Sequence, residues 1–207
     1  MALVRNEFGI KGRVGNAIFC TLNGKSYVRS TPERSDPNSP KQQEMRSRFR
    51  IAVRFYQRIK DTPLKRILDL SADGISSSGY TLFMKKNLKA FRANGKIGDF
   101  SQLCFSVGKR QQAYNLVGRM DDQGMVTLEW ENDEKVCNSE LADRLNIVAL
   151  HSKRSFSPEL LEGVNVIRGA GKVTFPLECD KGAKIHLYCF FESSGGRRFS
   201  NSQHIKL

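Results

Sequence analysis

Near residue 100 the apolar residues of this chain change their spacing from helical to alternating. Ahead of that point Met45, Phe49, Ala52, Val53, Tyr56 and Ile59 recur on one stripe of an amphipathic helix. Beyond it Leu103, Phe105 and Val107, and then Val126, Leu128 and Trp130, alternate with polar residues. Runs at 144–151, 172–177, 184–192 and 198–206 continue the strand pattern, separated by Gly, Asp and Ser turns. Short strands in succession with no helix between them fold as an antiparallel sandwich. The 207 residues therefore read as α+β in two parts. A β-hairpin plus helices is expected over 1–100, and an antiparallel fibronectin- or Ig-like sandwich over 101–207.

Local signals fill in the first part. Asn23-Gly24 separates the β-prone runs 16–22 and 25–29, and a type I′ turn needs positive φ at both of its central positions. Residues 31–40 carry three prolines and read as an extended loop. Ser39 is placed as an N-cap, Pro40 at the first helical position and Gln42 in a capping box. Pro63 stops or kinks that helix, and 64–70 continues it briefly. Residues 74–79 read as a loop, with Ser76, Ser77 and Ser78 at a hinge. A further helix is expected from Tyr80 to Ala93, with Asn87 and Phe91 inward, ended by Asn94-Gly95.

Charge is distributed as unevenly as periodicity. There are 34 Lys and Arg against 21 Asp and Glu, a net charge of +13. Residues 1–110 hold 22 bases and 8 acids, so the excess lies almost wholly in the first half. Arg46, Arg50, Arg54 and Arg58 recur every fourth residue and drift only about 40° per step around a helix. Like charges at this spacing cost roughly 0.2–0.5 kcal/mol per pair unless something neutralises them. Lys85, Lys89 and Arg92 repeat the theme on the later helix. Guanidinium forks suit phosphate bidentately, so these seven residues are the candidate polyanion contacts, with nucleic acid first. Contact with about seven phosphates gives a log–log salt slope near −6. A solvated face, or pairing with acids of the second half, explains the same row.

Other chemistry finds less support. Gly9, Gly12 and Gly15 precede Gly24-Lys25-Ser26, but Phe19 stands where a P-loop needs glycine. His186 and Cys189 have opposite strand parity, and His151 and His204 have no ligand-like neighbours, so no metal or other cofactor is expected. Glu129 and Glu131 flank Trp130 and should face solvent; with Asp133 and Glu134 they read as a charged rim rather than an acid/base pair. No nucleophile elbow is present, and the chain is expected not to be an enzyme. Five scattered cysteines read as reduced thiols. Arg5 and Glu7 interrupt any signal core and no apolar run spans a bilayer, so a cytoplasmic protein is expected.

Two resemblances add to this. GMVTLEWENDE (124–134) resembles the second strand of a fibronectin type III domain, and residues 184–207 resemble its last hairpin. The segments Gly9–Asn16, Asn23–Ser30, Gln42–Phe49 and Phe83–Lys89 are similar to an uncharacterised family of basic proteins from gut bacteria of the Bacteroides group. That resemblance implies architecture and no activity. The expected role is a non-catalytic binding or assembly protein. The alternative is a structural or protein-interaction subunit of a multiprotein, phage-like assembly without nucleic-acid binding, in which homo-oligomers also fit.

Overall fold

Gly15, with φ of 58°, and Asn16 close a tight turn between β2 (Gly12–Val14) and β3 (Ala17–Leu22), in which Val14 pairs with Ala17. A second turn containing Gly24 joins β3 to β4 (Lys25–Ser30). With β1 (Ala2–Leu3) these form an antiparallel sheet of order β1-β4-β3-β2. The computed structural model describes residues 2–3, 9–22, 24–33, 38–132, 137–178 and 182–207. Arg5, Glu7, Asn23, residues 34–37 of the proline-rich loop, Asp133, Glu134 and Cys179 lie outside them. The expected hairpin is thus part of a four-stranded sheet, and the glycines serve its turns. This sheet belongs to the first of two units, Met1–Ser39, in which no described side chain from residue 9 onward is buried.

The second unit, Pro40–Leu207, holds helices and two antiparallel sheets, α+β as expected. Its helices are α1 (Pro40–Ile59), α2 (Pro63–Ser71), α3 (Gly79–Asn87) and the short α4 (Asn138–Leu141). Its strands are β5 (Tyr114–Met120), β6 (Met125–Glu131), β7 (Arg144–His151), β8 (Glu159–Leu160), β9 (Lys172–Pro176), β10 (Ile185–Glu192) and β11 (Gln203–Lys206). One sheet has the order β11-β10-β7-β8 and the other β5-β6-β9.

The central strand β10 is buried on both faces, which is why it reads as the nearly unbroken apolar run Ile185-His-Leu-Tyr-Cys-Phe-Phe. Ile185, Leu187, Cys189 and Phe191 pack with Val126, Leu128 and Trp130 of the facing sheet. Tyr188 and Phe190 turn the other way, into a cluster with Phe55, Phe83, Phe91 and Phe105. Phe55 stacks on Phe83 at 5.8 Å between ring centroids, and Phe105 meets Tyr188 edge-on at 4.8 Å. The helices therefore share a core with the sheet they cover. The two compact units divide at 39/40, and residue 100 lies inside the second of them.

Three local expectations change. The helix begun at Gly79 ends at Asn87, passes through a 3-10 turn (Leu88–Ala90), and becomes extended at the buried Phe91. Asn94-Gly95 sits in a reversal that pairs Phe91 with Ile97, so it caps no helix. Leu103, Phe105 and Val107 form no strand. Their segment is clamped by side chains instead: Asn87 donates to the Cys104 carbonyl at 3.0 Å, and the Cys104 N–H returns a bond to Asn87 Oδ1 at 2.6 Å. Finally, Ser78 is the N-cap of α3, its Oγ accepting from the Thr81 N–H at 3.2 Å.

Candidate functional site

Helix α1 buries Ile51, Ala52, Phe55, Tyr56 and Ile59. At about 100° per residue, the row Arg46, Arg50, Arg54 and Arg58 is centred on the opposite side of the cylinder. All four are exposed, as are Lys85 on α3, Lys89 on the following turn and Arg92 beyond it. Three of the four acids between residues 40 and 93 are paired with other bases. Glu44 pairs with Arg48, Asp61 lies 4.0 Å from Lys60, and Asp69 accepts from Lys65 at 2.6 Å. Among the described residues, Arg50, Arg54, Arg58, Lys85, Lys89 and Arg92 form no ion pair. Between residues 40 and 93 there are 13 bases and 4 acids, so these helices carry a strong positive surplus.

Met45 and Phe49, expected inward, are 50% and 45% exposed. A 20-residue helix is about 30 Å long, and its buried positions begin only at Ile51. The apolar stripe runs on past the end of the shared core.

Elsewhere the buried polar groups serve the fold. Arg168 is fully buried. Its guanidinium stacks 3.8 Å from the Phe191 ring centroid and donates to the carbonyls of Gln111 and Gln112. Trp130 Nε1 donates to the Arg168 carbonyl at 2.9 Å. Burial lowers the Arg168 pKa and raises that of the buried Asp143, whose neighbours are Arg110 and Arg168. The sequence shows nothing that marks Arg168 as interior, because its partners are backbone carbonyls from a distant segment.

His204, which the sequence gives no ligand-like neighbour, has its Nε2 2.8 Å from Nδ1 of His186. They sit diagonally across the β10–β11 pairing, where His204 faces Tyr188 and Lys206 faces His186. Among the described residues, no group of three His, Cys, Asp or Glu is placed to hold a metal ion. Glu129 and Glu131 are exposed on either side of buried Trp130, with Glu129 paired to Lys172 at 2.7 Å. Cys20, Cys104, Cys137 and Cys189 are free, and burial pushes the Cys189 thiol up to about 12. No helix among the described residues is long and apolar enough to cross a membrane.

A match to Family of unknown function (DUF6266) spans residues 9–206. The chain belongs to that family. The DUF6266 span takes in the basic helices, both sheets of the second unit and most of the N-terminal sheet. A comparison with curated proteins gives no match.

Proposed function

We propose that this DUF6266 protein is a non-catalytic binding protein whose helices α1 and α3 contact a polyanion, nucleic acid first among them. The observation that carries the reading is the use of the local acids. Glu44, Asp61 and Asp69 neutralise Arg48, Lys60 and Lys65, while the outward row beginning at Arg50 is left to solvent. A row of guanidinium groups one turn apart meets successive phosphates without rearrangement, and its affinity comes largely from counterion release. The reading places the protein in the cytoplasm, where nucleic acid is available.

The two sheets of the second unit support the further reading that residues 101–207 are a fibronectin type III-like sandwich. Three strands in the order β5-β6-β9 face four in the order β11-β10-β7-β8, and Trp130 on β6 packs between them against Phe191 at 5.9 Å. In this role the sandwich carries the helices, because β10 supplies the wall against which they pack.

The exposed pair Met45 and Phe49 supports a second reading, a protein-interaction subunit that buries this stripe in an assembly. Purification separates the two. Nucleic-acid binding predicts a raised A260/A280 ratio that falls after a high-salt wash and is absent from Arg50→Glu/Arg54→Glu/Arg58→Glu. A defined oligomer by light scattering, with no nucleic acid retained by the unaltered protein, refutes polyanion contact and supports assembly.

A further inference from the structure

A cleft of about 580 Å³ opens in the second unit between the end of α2, the segment around Gly108 and the turn that follows β10. Small-molecule sites span roughly 300–1,000 Å³, so this volume suits a compact organic ligand. Its lining carries four cations, Lys109, Arg110, Arg197 and Arg198, and two carboxylates, Asp73 and Glu140.

The cations come from two distant stretches of chain that the backbone forces together. Gly108 lies so close to the Phe199 carbonyl that a Cβ would overlap its oxygen. The Arg110 N–H donates to that same oxygen at 3.1 Å, and Arg110 bridges to Ser200. Lys109 and Arg110 thereby line the same cleft as Arg197 and Arg198, which directly precede Phe199 in the chain. The turn bearing the second pair is held as well. Gly196 has φ of 68° and donates to the Ser193 carbonyl at 2.7 Å, the Arg198 N–H bonds Ser193 Oγ at 3.1 Å, and Arg66 donates to the Gly196 carbonyl at 3.2 Å.

The four cations differ in what they already bind. Arg110 is committed, with Nη1 2.9 Å from Glu140 and Nε 3.7 Å from the buried Asp143. Among the described residues, Lys109, Arg197 and Arg198 form no ion pair. The lining has two more positive than negative groups, and Leu70, Ile75, Val107 and Phe199 supply an apolar wall.

We infer that this cleft binds a small phosphomonoester, its dianionic head between Lys109, Arg197 and Arg198 and its organic body against the apolar wall. A dianion balances the surplus charge, and the arginine forks give it two-point hydrogen bonds. Arg110 lines the cleft but does not hold the head group, because its guanidinium is spent on Glu140 and Asp143. The site is separate from the α1 and α3 face and stands or falls without it.

Isothermal titration of the full chain with phenyl phosphate tests the assignment, with inorganic phosphate and benzoate as companion probes. The expected result is saturable binding of phenyl phosphate that is tighter than that of either companion. Arg197→Gln/Arg198→Gln, both exposed, weakens it at least tenfold with the melting temperature unchanged, and Lys109→Gln weakens it as a single change. Arg50→Glu/Arg54→Glu/Arg58→Glu leaves it intact, so loss of nucleic-acid contact and loss of this site are read independently. Absence of phenyl phosphate binding at about 10 mM, which corresponds to less than roughly 3 kcal/mol, overturns the assignment. Binding that is indifferent to the Arg197/Arg198 and Lys109 changes overturns it too.

Discussion

His186 Nδ1 and His204 Nε2 lie 2.8 Å apart, and the His186 ring is stacked on Phe100 with centroids 4.1 Å apart. Such a contact needs one nitrogen as donor and the other as acceptor, so it breaks when both rings are cationic. Burial first, then His204, Lys206 and Lys184, lower the His186 pKa from 6.5 to about 4. Burial also lowers that of His204, with Asp99 opposing it.

These shifts fix the sign of a pH dependence. Well above pH 6.5 the rings are neutral in folded and unfolded chains alike, and their contribution to stability is complete. As pH falls from 6.5 towards about 4, the unfolded chain takes up protons that the folded His186 refuses, and stability is lost. Urea unfolding across this window should show that decline in the unaltered protein. In His186→Phe, which keeps the stack on Phe100, the decline should be shallower. Parallel profiles for the two proteins would remove the histidine pair from the account.

Arg168 is expected to be among the costliest polar side chains to remove. Arg168→Met strips the donors from the Gln111 and Gln112 carbonyls and leaves Asp143 buried with less compensating charge. Breaking a buried charge arrangement on one side costs about 3–5 kcal/mol. Adding Asp143→Asn to Arg168→Met should cost less than the sum of the two single changes, because the stranded charge is gone. Strict additivity in denaturant melts would show that the two groups act separately.

Two glycines are set by close approach. A Cβ at Gly79 would stand 2.7 Å from the Asp69 nitrogen and 2.8 Å from the Leu68 carbonyl carbon, where α3 begins against α2. Overpacking of this kind costs roughly 1–3 kcal/mol. Gly79→Ala and Gly108→Ala should each lower the melting temperature, whereas Gly163→Ala, which meets nothing within 4 Å, should not. Equal melting of all three would contradict the packing described.

The shared core makes a prediction about fragments. Residues 1–100 alone would expose Phe55, Phe83 and Phe91, while 101–207 alone would expose Tyr188 and Phe190 on the face the helices cover. Neither piece should unfold cooperatively by circular dichroism, whereas Pro40–Leu207 should. Cooperative melting of both pieces would instead support separate domains meeting near residue 100.

Much of the secondary structure is legible from spacing alone. The run at 144–151 coincides with β7, and Val126, Leu128 and Trp130 face inward as alternation requires. What local pattern misses is set by distant contacts. Phe105 alternates like a strand residue but joins no strand among the described residues, because the Asn87 side chain and the Ser202 hydroxyl occupy the backbone hydrogen bonds of Cys104 and Phe105. Met45 and Phe49 have helical spacing but lie beyond the reach of the core. The basic row was legible as a row, since period four on a helix needs no tertiary information. The cationic cleft was not, because Lys109 and Arg197 come together through long-range backbone contacts of Gly108 and Arg110 with Phe199 and Ser200.

The salt dependence of binding bears most directly on polyanion contact through the helices. Fluorescence anisotropy of a labelled DNA duplex, titrated with protein over a series of KCl concentrations, gives the slope of log K against log salt. Six contacts from Arg50, Arg54, Arg58, Lys85, Lys89 and Arg92 predict a slope near −5, and Arg50→Glu/Arg54→Glu/Arg58→Glu should make it shallower by about 3. No binding at low salt, or a slope that the triple change leaves untouched, would contradict the account.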